Sequence, residues 1–326
     1  IDRSLVGSEM CIRDSFLPAS QLAPMLRSGD LSPTELCQAV LDRAEALEPA
    51  LNAFVVLDGD GAMDQARAVE AKMAKGEAVG PLAGIPVTIK DLAVTADLPT
   101  QRGSLSMKGE VFGTDTPFVS RLRQAGAIVL GKTTTSEFGW KGVSQSPLTG
   151  ITHNPWKSGY NAGASSAGAG VAAAAGYGPL HQGSDGAGSI RMPSHFCGVF
   201  GIKPSLGRVP SWPVSNTDQV SHNGPMTRSV MDSAMMLKVM AGPHPWDHYT
   251  LEAPPADYPA MLRKGVRGLK VAYSPDLGLA RVDPEVADLV KAGVHAFEEM
   301  GCEVEEVDGS ALAFAKDGPE LIRFFW

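Results

Sequence analysis

Disulfide and zinc chemistry have little to work with in this sequence, which holds four cysteines in 326 residues. Cys11, Cys37, Cys197 and Cys302 form no CxxC pair and match no zinc-ligand spacing. They read as reduced thiols, as expected of a cytoplasmic protein. Long apolar runs are missing too. The longest candidate, Gly168 to Leu180, is mostly alanine and glycine and too short to span a bilayer. No uninterrupted apolar segment at the N-terminus marks a secretory signal. A basic run is also absent: 28 Lys and Arg against 36 Asp and Glu give a formal net charge of -8, spread along the chain. That supplies no positive patch for nucleic acid and argues for solubility. No group of His, Cys, Asp and Glu has metal-ligand spacing, so no metal and no cofactor are expected. The expected partner is a small molecule, with neither nucleic acid nor membrane involved; a homodimer is left open.

What is present is ordinary for a globular chain, with 44% hydrophobic and 20% charged residues. The length suits one large α/β domain or two ordinary ones. The opening "IDRSLVGSEMCIRDS" lacks an initiator methionine and resembles a translated adapter fragment, so Ile1 to about Ser15 is expected to be an artefactual or disordered tail. Ser32, Pro33 and Glu35 announce a helix with a capping box. Asn52 to Leu57 reads as a strand and Ala62 to Lys75 as a helix. Leu82 to Asp91 is a strand-like apolar run, and Thr116 to Gln124 a helix followed by the buried strand "AIVLG". Ser165 and Ser166 sit where an alanine- and glycine-rich helix begins. A helix that accepts such glycines is expected to pack very closely against a neighbour. Cys197 to Ser205 reads as a strand and Arg228 to Met240 as a methionine-rich helix. The prolines of 242–259 mark a loop. Strand, helix and strand follow at "LKVAYS", Pro284 to Met300 and "CEVEEVD". The alternation predicts an α/β layered fold, with residues 16–326 as a single domain. Its core is expected at 32–240, with an incomplete C-terminal part at 260–326. The chain stops at "IRFFW" inside what reads as a further helix, which predicts C-terminal truncation.

One motif is rejected on context. "GAIVLGKT", Gly126 to Thr133, fits the Walker A expression, but its middle residues are strand residues preceded by a helix. Lys132 and Thr133 are expected to end a strand. A Ser-His-Asp hydrolase is disfavoured because GxSxG is absent at both "AGSIR" and "ASSAG", so His181 and His195 read as scaffold or pocket-edge residues.

Three segments remain: "GIPVTIKD" with Lys90, "GASSAG" from Gly163 to Gly168, and "GSDGAGSIR" from Gly183 to Arg191. Together with "FCGVFGIKPS" they resemble the amidase signature family, densely from Ser32 to Ser205 and more thinly beyond. The resemblance implies an α/β/α fold with a large mixed sheet between helices, and amide hydrolysis through a Ser-Ser-Lys triad. Carried over by position, Ser189 is the nucleophile, Ser165 the bridging serine and Lys90 the base. Ser166 is the runner-up for the bridge and otherwise a supporting hydrogen-bonding residue. In the family the bridging serine follows a cis peptide bond, which here would be Ala164–Ser165. The alternatives are the A subunit of a glutamyl-tRNA amidotransferase, which alone would call for partner subunits, and an inactive truncated fragment.

The chemistry is coherent in itself. A serine hydroxyl needs a proton acceptor. Lysine serves only when neutral, and apolar burial of the kind "LAGIPVTI" offers lowers its pKa. A second serine both donates and accepts, so it can relay the proton. Backbone N–H groups of Gly186, Ala187, Gly188 and Ser189 are the expected oxyanion donors, typically worth about 3 kcal/mol each. Asp185 and Arg191 are expected to fix the loop by pairing with each other or with backbone. Ala164, Ala167 and Ala187 stand where family members often have glycine, and read as tuning of substrate fit.

Overall fold

A computed structural model of the chain describes residues 15–215 and 218–309. The N-terminal tail with Cys11 and the closing "DGPELIRFFW" lie outside the described residues, except for Ser15. That residue is buried and its carbonyl accepts from Arg228 Nη2 at 3.1 Å, so it belongs with the folded chain. Two compact units divide the chain, Ile1–Pro259 and Ala260–Trp326.

The first unit is built on a six-stranded mixed sheet in the order β1-β3-β2-β6-β8-β7. Its strands are β1 (Phe54–Leu57), β2 (Pro86–Lys90), β3 (Ile128–Thr133), β6 (Leu180–Asp185), β7 (Phe200–Gly201) and β8 (His222–Thr227). A separate two-stranded ribbon joins β4 (Gln145–Ser146) to β5 (Gly150–Ile151). The central strands β2, β3 and β6 run parallel, while β1, β8 and β7 pair antiparallel. Every residue of β2 and of β3 is buried, so both faces of the central sheet are covered.

The helices follow from local chemistry. α1 (Ala19–Ser28) ends on Gly29 in the left-handed region. α2 (Pro33–Leu51) starts with the expected capping box, in which Ser32 Oγ accepts from Glu35 N at 3.1 Å and Glu35 Oε2 accepts from Ser32 N at 2.9 Å. Such a cap contributes about 1 kcal/mol. α3 (Gly59–Ala74) is capped by Asp58, and α4 (Pro117–Gln124) follows Thr116 as N-cap. α5 (Ala167–Ala175), α6 (Arg191–Cys197) and α7 (Val230–Met240) follow. α5 is almost wholly buried and crosses the sheet closely, because a side chain at Gly168 would run into the backbone of Ala53 and Thr134.

Several elements differ from the sequence expectation. Cys197 to Ser205 is not one strand: α6 ends at Cys197, Gly198 turns the chain with φ +66°, and only Phe200–Gly201 pairs. Leu180–Asp185, glycine- and serine-rich at its end, is a central strand, and only Gly186 to Ile190 forms the turn that follows. β8, over which the sequence reading places no element, carries Asn223, Gly224 and Pro225 yet pairs with β6 on one side and β7 on the other. Proline fits because it need only accept here, and Pro225 O takes a bond from Ile202 N at 3.2 Å. The Walker-like segment is a buried strand, and Lys132 Nζ is held by Ala93 O at 2.8 Å and Thr100 Oγ1 at 2.7 Å.

The second unit is a β-α-β arrangement. β9 (Lys270–Tyr273) and β10 (Glu303–Glu306) pair in parallel, and α8 (Pro284–Glu299) connects them, capped by Asp283. Among the described residues no helix is long and apolar enough to cross a membrane.

Candidate active site

Lys90 is the last residue of β2, and its side chain is fully buried. Nζ donates to Ser165 Oγ at 2.7 Å and to Ser184 Oγ at 3.0 Å, while the backbone N donates to Gln182 Oε1 at 3.1 Å. Burial pulls the ammonium down to about 7, against a smaller opposing pull from Asp185. A lysine with that value is substantially neutral at physiological pH.

Ser165 lies just before α5, is 2% exposed and follows a cis peptide bond from Ala164. Glycine at 139 keeps room beside it, since a Cβ there would sit 3.3 Å from Ser165 Oγ. Ser166 stands at the N-cap of α5, but its hydroxyl does not cap the helix. It donates instead to Ser184 O at 3.1 Å and accepts from Ser184 N at 3.2 Å. The exchange ties the start of α5 to the end of β6. Ser166 N also donates to Ser189 O at 3.2 Å, which brings the paired serines to the glycine turn.

That turn is organised by Asp185. Its carboxylate pairs bidentately with Arg191, with Nε and Nη2 each at 2.9 Å. It also accepts from Gly188 N at 2.7 Å, Ile190 N at 3.1 Å and Arg191 N at 3.2 Å. Burial works to raise its pKa, but the Arg191 pairing and these N–H bonds win and hold the carboxyl at about 2. Asp185 therefore stays charged, spent on these bonds, and is too weak a base to take a serine's proton near neutral pH. One expected oxyanion donor is spent in this way. The N–H of Gly188 points at the stronger acceptor, the Asp185 carboxylate, which leaves Gly186, Ala187 and Ser189 as the available donors of the four. Ala187 is exposed, while Ala164 and Ala167 are buried. Ser189 is 9% exposed at the end of the turn, and its hydroxyl makes no hydrogen bond to any other described residue.

The histidines take other parts. His181 is buried on β6, with Nδ1 3.0 Å from Thr88 Oγ1 and Nε2 3.1 Å from Gly178 O. Burial pushes it down to about 3, so it is a neutral scaffold residue. His195 is exposed on α6. Asp91, beside the base, is not a solvated partner for it. It is fully buried, 3.7 Å from Lys132 Nζ, and accepts from the backbone N–H groups of Gln101 and Gly103 at 3.0 and 3.3 Å.

Sequence reasoning missed Ser184, the second hydroxyl on Lys90 Nζ. Its signal was proximity in the motif, directly before Asp185, but the segment read as loop. Also missed was the cavity of about 220 Å³ that opens beside the site, with Ser184, Phe138 and Arg102 in its wall.

The Amidase family model matches residues 35–320. An acylamidase of Rhodococcus erythropolis is 43% identical over 292 residues, covering 89% of this chain and 61% of its own length. The A subunit of the glutamyl-tRNA(Gln) amidotransferase of Roseiflexus castenholzii is 38% identical over 295 residues, covering 89% and 59%. A bacterial aryl acylamidase of the amidase signature enzymes superposes with a TM-score of 0.85 at 33% identity, covering 90% of this chain and 61% of that one. The chain thus spans about 60% of the length of these relatives.

Proposed function

The chain belongs to the amidase family, and on that premise we propose that it hydrolyses carboxylic amides through a serine acyl-enzyme. One observation carries the reading: a fully buried lysine, pulled toward neutrality, bonded at 2.7 Å to Ser165, the serine just before α5. Neutral Lys90 Nζ accepts the proton of Ser165 Oγ, Ser165 Oγ accepts that of Ser189, and Ser189 Oγ attacks the amide carbon. The N–H groups of Gly186, Ala187 and Ser189 receive the charge that forms on the carbonyl oxygen. As the C–N bond breaks, the proton returns from Lys90 through Ser165 to the departing nitrogen. Water then repeats the sequence on the acyl-enzyme, releasing the acid and freeing Ser189. Ser166 holds the end of β6 in register with Ser165, and Asp185 with Arg191 holds the turn.

The identity to the A chain of a glutamyl-tRNA amidotransferase favours one other reading, in which the same residues release ammonia from glutamine and work with partner subunits. Activity of the isolated chain on simple arylamides supports the amidase; glutaminase activity that appears only with partner subunits supports the second reading. A fluorophosphonate label followed by peptide mapping tests the nucleophile. It is expected on Ser189 alone, lost in Ser189→Ala and slowed at least a hundredfold in Lys90→Ala. Labelling elsewhere, or an unchanged rate in Lys90→Ala, overturns the triad. A wild-type chain that hydrolyses neither substrate and takes no label is an inactive fragment.

A further inference from the structure

The cavity beside Lys90 carries a charge for which the hydrolytic machinery has no use. It shares Ser184 with the lysine, and Phe138 in its wall adjoins Gly139, which faces Ser165 Oγ. Aromatic and apolar groups, among them Phe118, Phe138 and Trp212, make up much of the wall. Among the described residues that line it, Arg102 is the one charged side chain, and no carboxylate faces it.

Arg102 is held by its backbone. It sits in the left-handed region at φ +54°, donates its N–H to Asp91 O at 3.2 Å and accepts from Phe138 N at 2.8 Å. Its neighbours Gln101 and Gly103 both donate to the Asp91 carboxylate. The side chain is left unspent. Its Nε is buried without a hydrogen-bond partner, and it forms no ion pair among the described residues. Among the described residues the guanidinium meets one ring, that of Phe112, 5.6 Å from its carbon to the centroid. A second unspent group lines the same cavity. Thr116 is 1% exposed, and its Oγ1 has no partner among the described residues although the residue stands at the N-cap of α4.

A buried donor without an acceptor costs about 1–3 kcal/mol, and more when it is charged. A carboxylate satisfies a guanidinium with two parallel bonds. The threonine hydroxyl adds a third donor, and the N-terminal end of a helix dipole favours the same sign of charge. We propose that this cavity takes the anionic end of the substrate, with Arg102 and Thr116 as its specificity-determining residues, so that the preferred amides carry a carboxylate remote from the bond that is cut. The inference rests on the amidase reading for the position of that bond, but the anion site can be tested apart from it.

The experiment uses the full chain and two arylamides of similar size, 4-acetamidobenzoate and the neutral 4-methylacetanilide. Binding is measured by titration calorimetry on Ser189→Ala, which cannot acylate. It is expected to be at least tenfold tighter for the carboxylate and to weaken as salt is raised. Arylamine release then gives kcat/KM for both amides in the chain with Ser189 intact. Arg102→Gln is expected to reduce the carboxylate-to-methyl ratio at least tenfold, chiefly through KM, and Arg102→Lys to restore part of it. Comparing the ratio between wild type and variant cancels the different leaving abilities of the two amines. Equal binding of both probes by Ser189→Ala, or an unchanged ratio in Arg102→Gln, overturns the proposal. Retained preference for the carboxylate in a chain that releases no amine supports the anion site and sinks the hydrolytic reading instead.

Discussion

Lys90 ends a wholly buried strand, and that placement sets its chemistry. A buried ammonium loses its hydration, so its proton leaves near pH 7 instead of near 10.5. The base works only when deprotonated. Activity is therefore expected to fall about tenfold per pH unit below the lysine's pKa and to level off above it. A pH profile of kcat/KM from pH 5 to pH 9 checks this, with an inflection expected near 7. Ser184→Ala removes one hydroxyl from Nζ while leaving the Ser165 bond in place. It should move that inflection while Ser189 remains the labelled residue. A profile that stays flat through pH 5 would mean that no group of this kind supplies the base. The two ionisable groups of β6, the strand that leads to Ser189, do not give this limb: Asp185 is ionised down to about pH 2 and His181 stays neutral down to about pH 3.

At the scale of the element, α5 shows how packing overrides propensity. Alanine is a better helix former than glycine by about 1 kcal/mol, so Gly168→Ala should strengthen the helix taken alone. In the fold, the added methyl meets the backbone of Ala53 and Thr134, which cannot rotate away. Overpacking of that kind costs about 1–3 kcal/mol, enough to reverse the sign. Gly293, inside α8, has nothing within 4 Å of an added Cβ, and there the propensity gain stands alone. Urea unfolding is expected to show Gly168→Ala destabilised and Gly293→Ala stabilised. The same change raising stability at both sites would remove the argument for close packing at α5. That close packing was legible from the sequence, because a run of alanine and glycine pays in helix propensity only when a neighbour comes near. The helix α1 was not, since Pro24 interrupts its pattern. Nor was β8, where Asn223, Gly224 and Pro225 carry turn chemistry locally and strand pairing from both neighbours outweighs it. The ends of β6 and α6 around the glycine turn were hidden for a related reason. Small residues leave no periodic signature, and the partners that order them come from other strands.

Across the whole molecule, the proposed catalytic residues were legible as types and order, but their environment was not. Nothing in "GIPVTIKD" says that Asp91 turns away from Lys90 toward Lys132, or that Ser184 shares the lysine. Both depend on strands β2, β3 and β6 lying side by side. Burying these groups has a consequence for stability as a function of pH. Lys90 is depressed in the folded chain and ordinary in the unfolded one, so between pH 7 and about 10.5 the unfolded chain binds the extra proton. Stability then rises with pH, by up to about 1.4 kcal/mol per unit for one proton. Lys132, drawn down by burial to about 8, adds in the same direction from about pH 8 upward. Glu48, raised by burial to about 7, acts oppositely, because the folded chain holds its proton longer, but its window closes near pH 7. Between pH 7.5 and 8.5 the lysines should dominate. Urea unfolding across that interval is expected to show stability climbing in the wild type. Lys90→Met should show a slope lower by about 1.4 kcal/mol per unit, since one proton has left the difference. That comparison isolates Lys90 from every other titration. Equal slopes would mean that Lys90 keeps its ordinary pKa in the folded chain, and with it would go the neutral base on which the proposed chemistry depends.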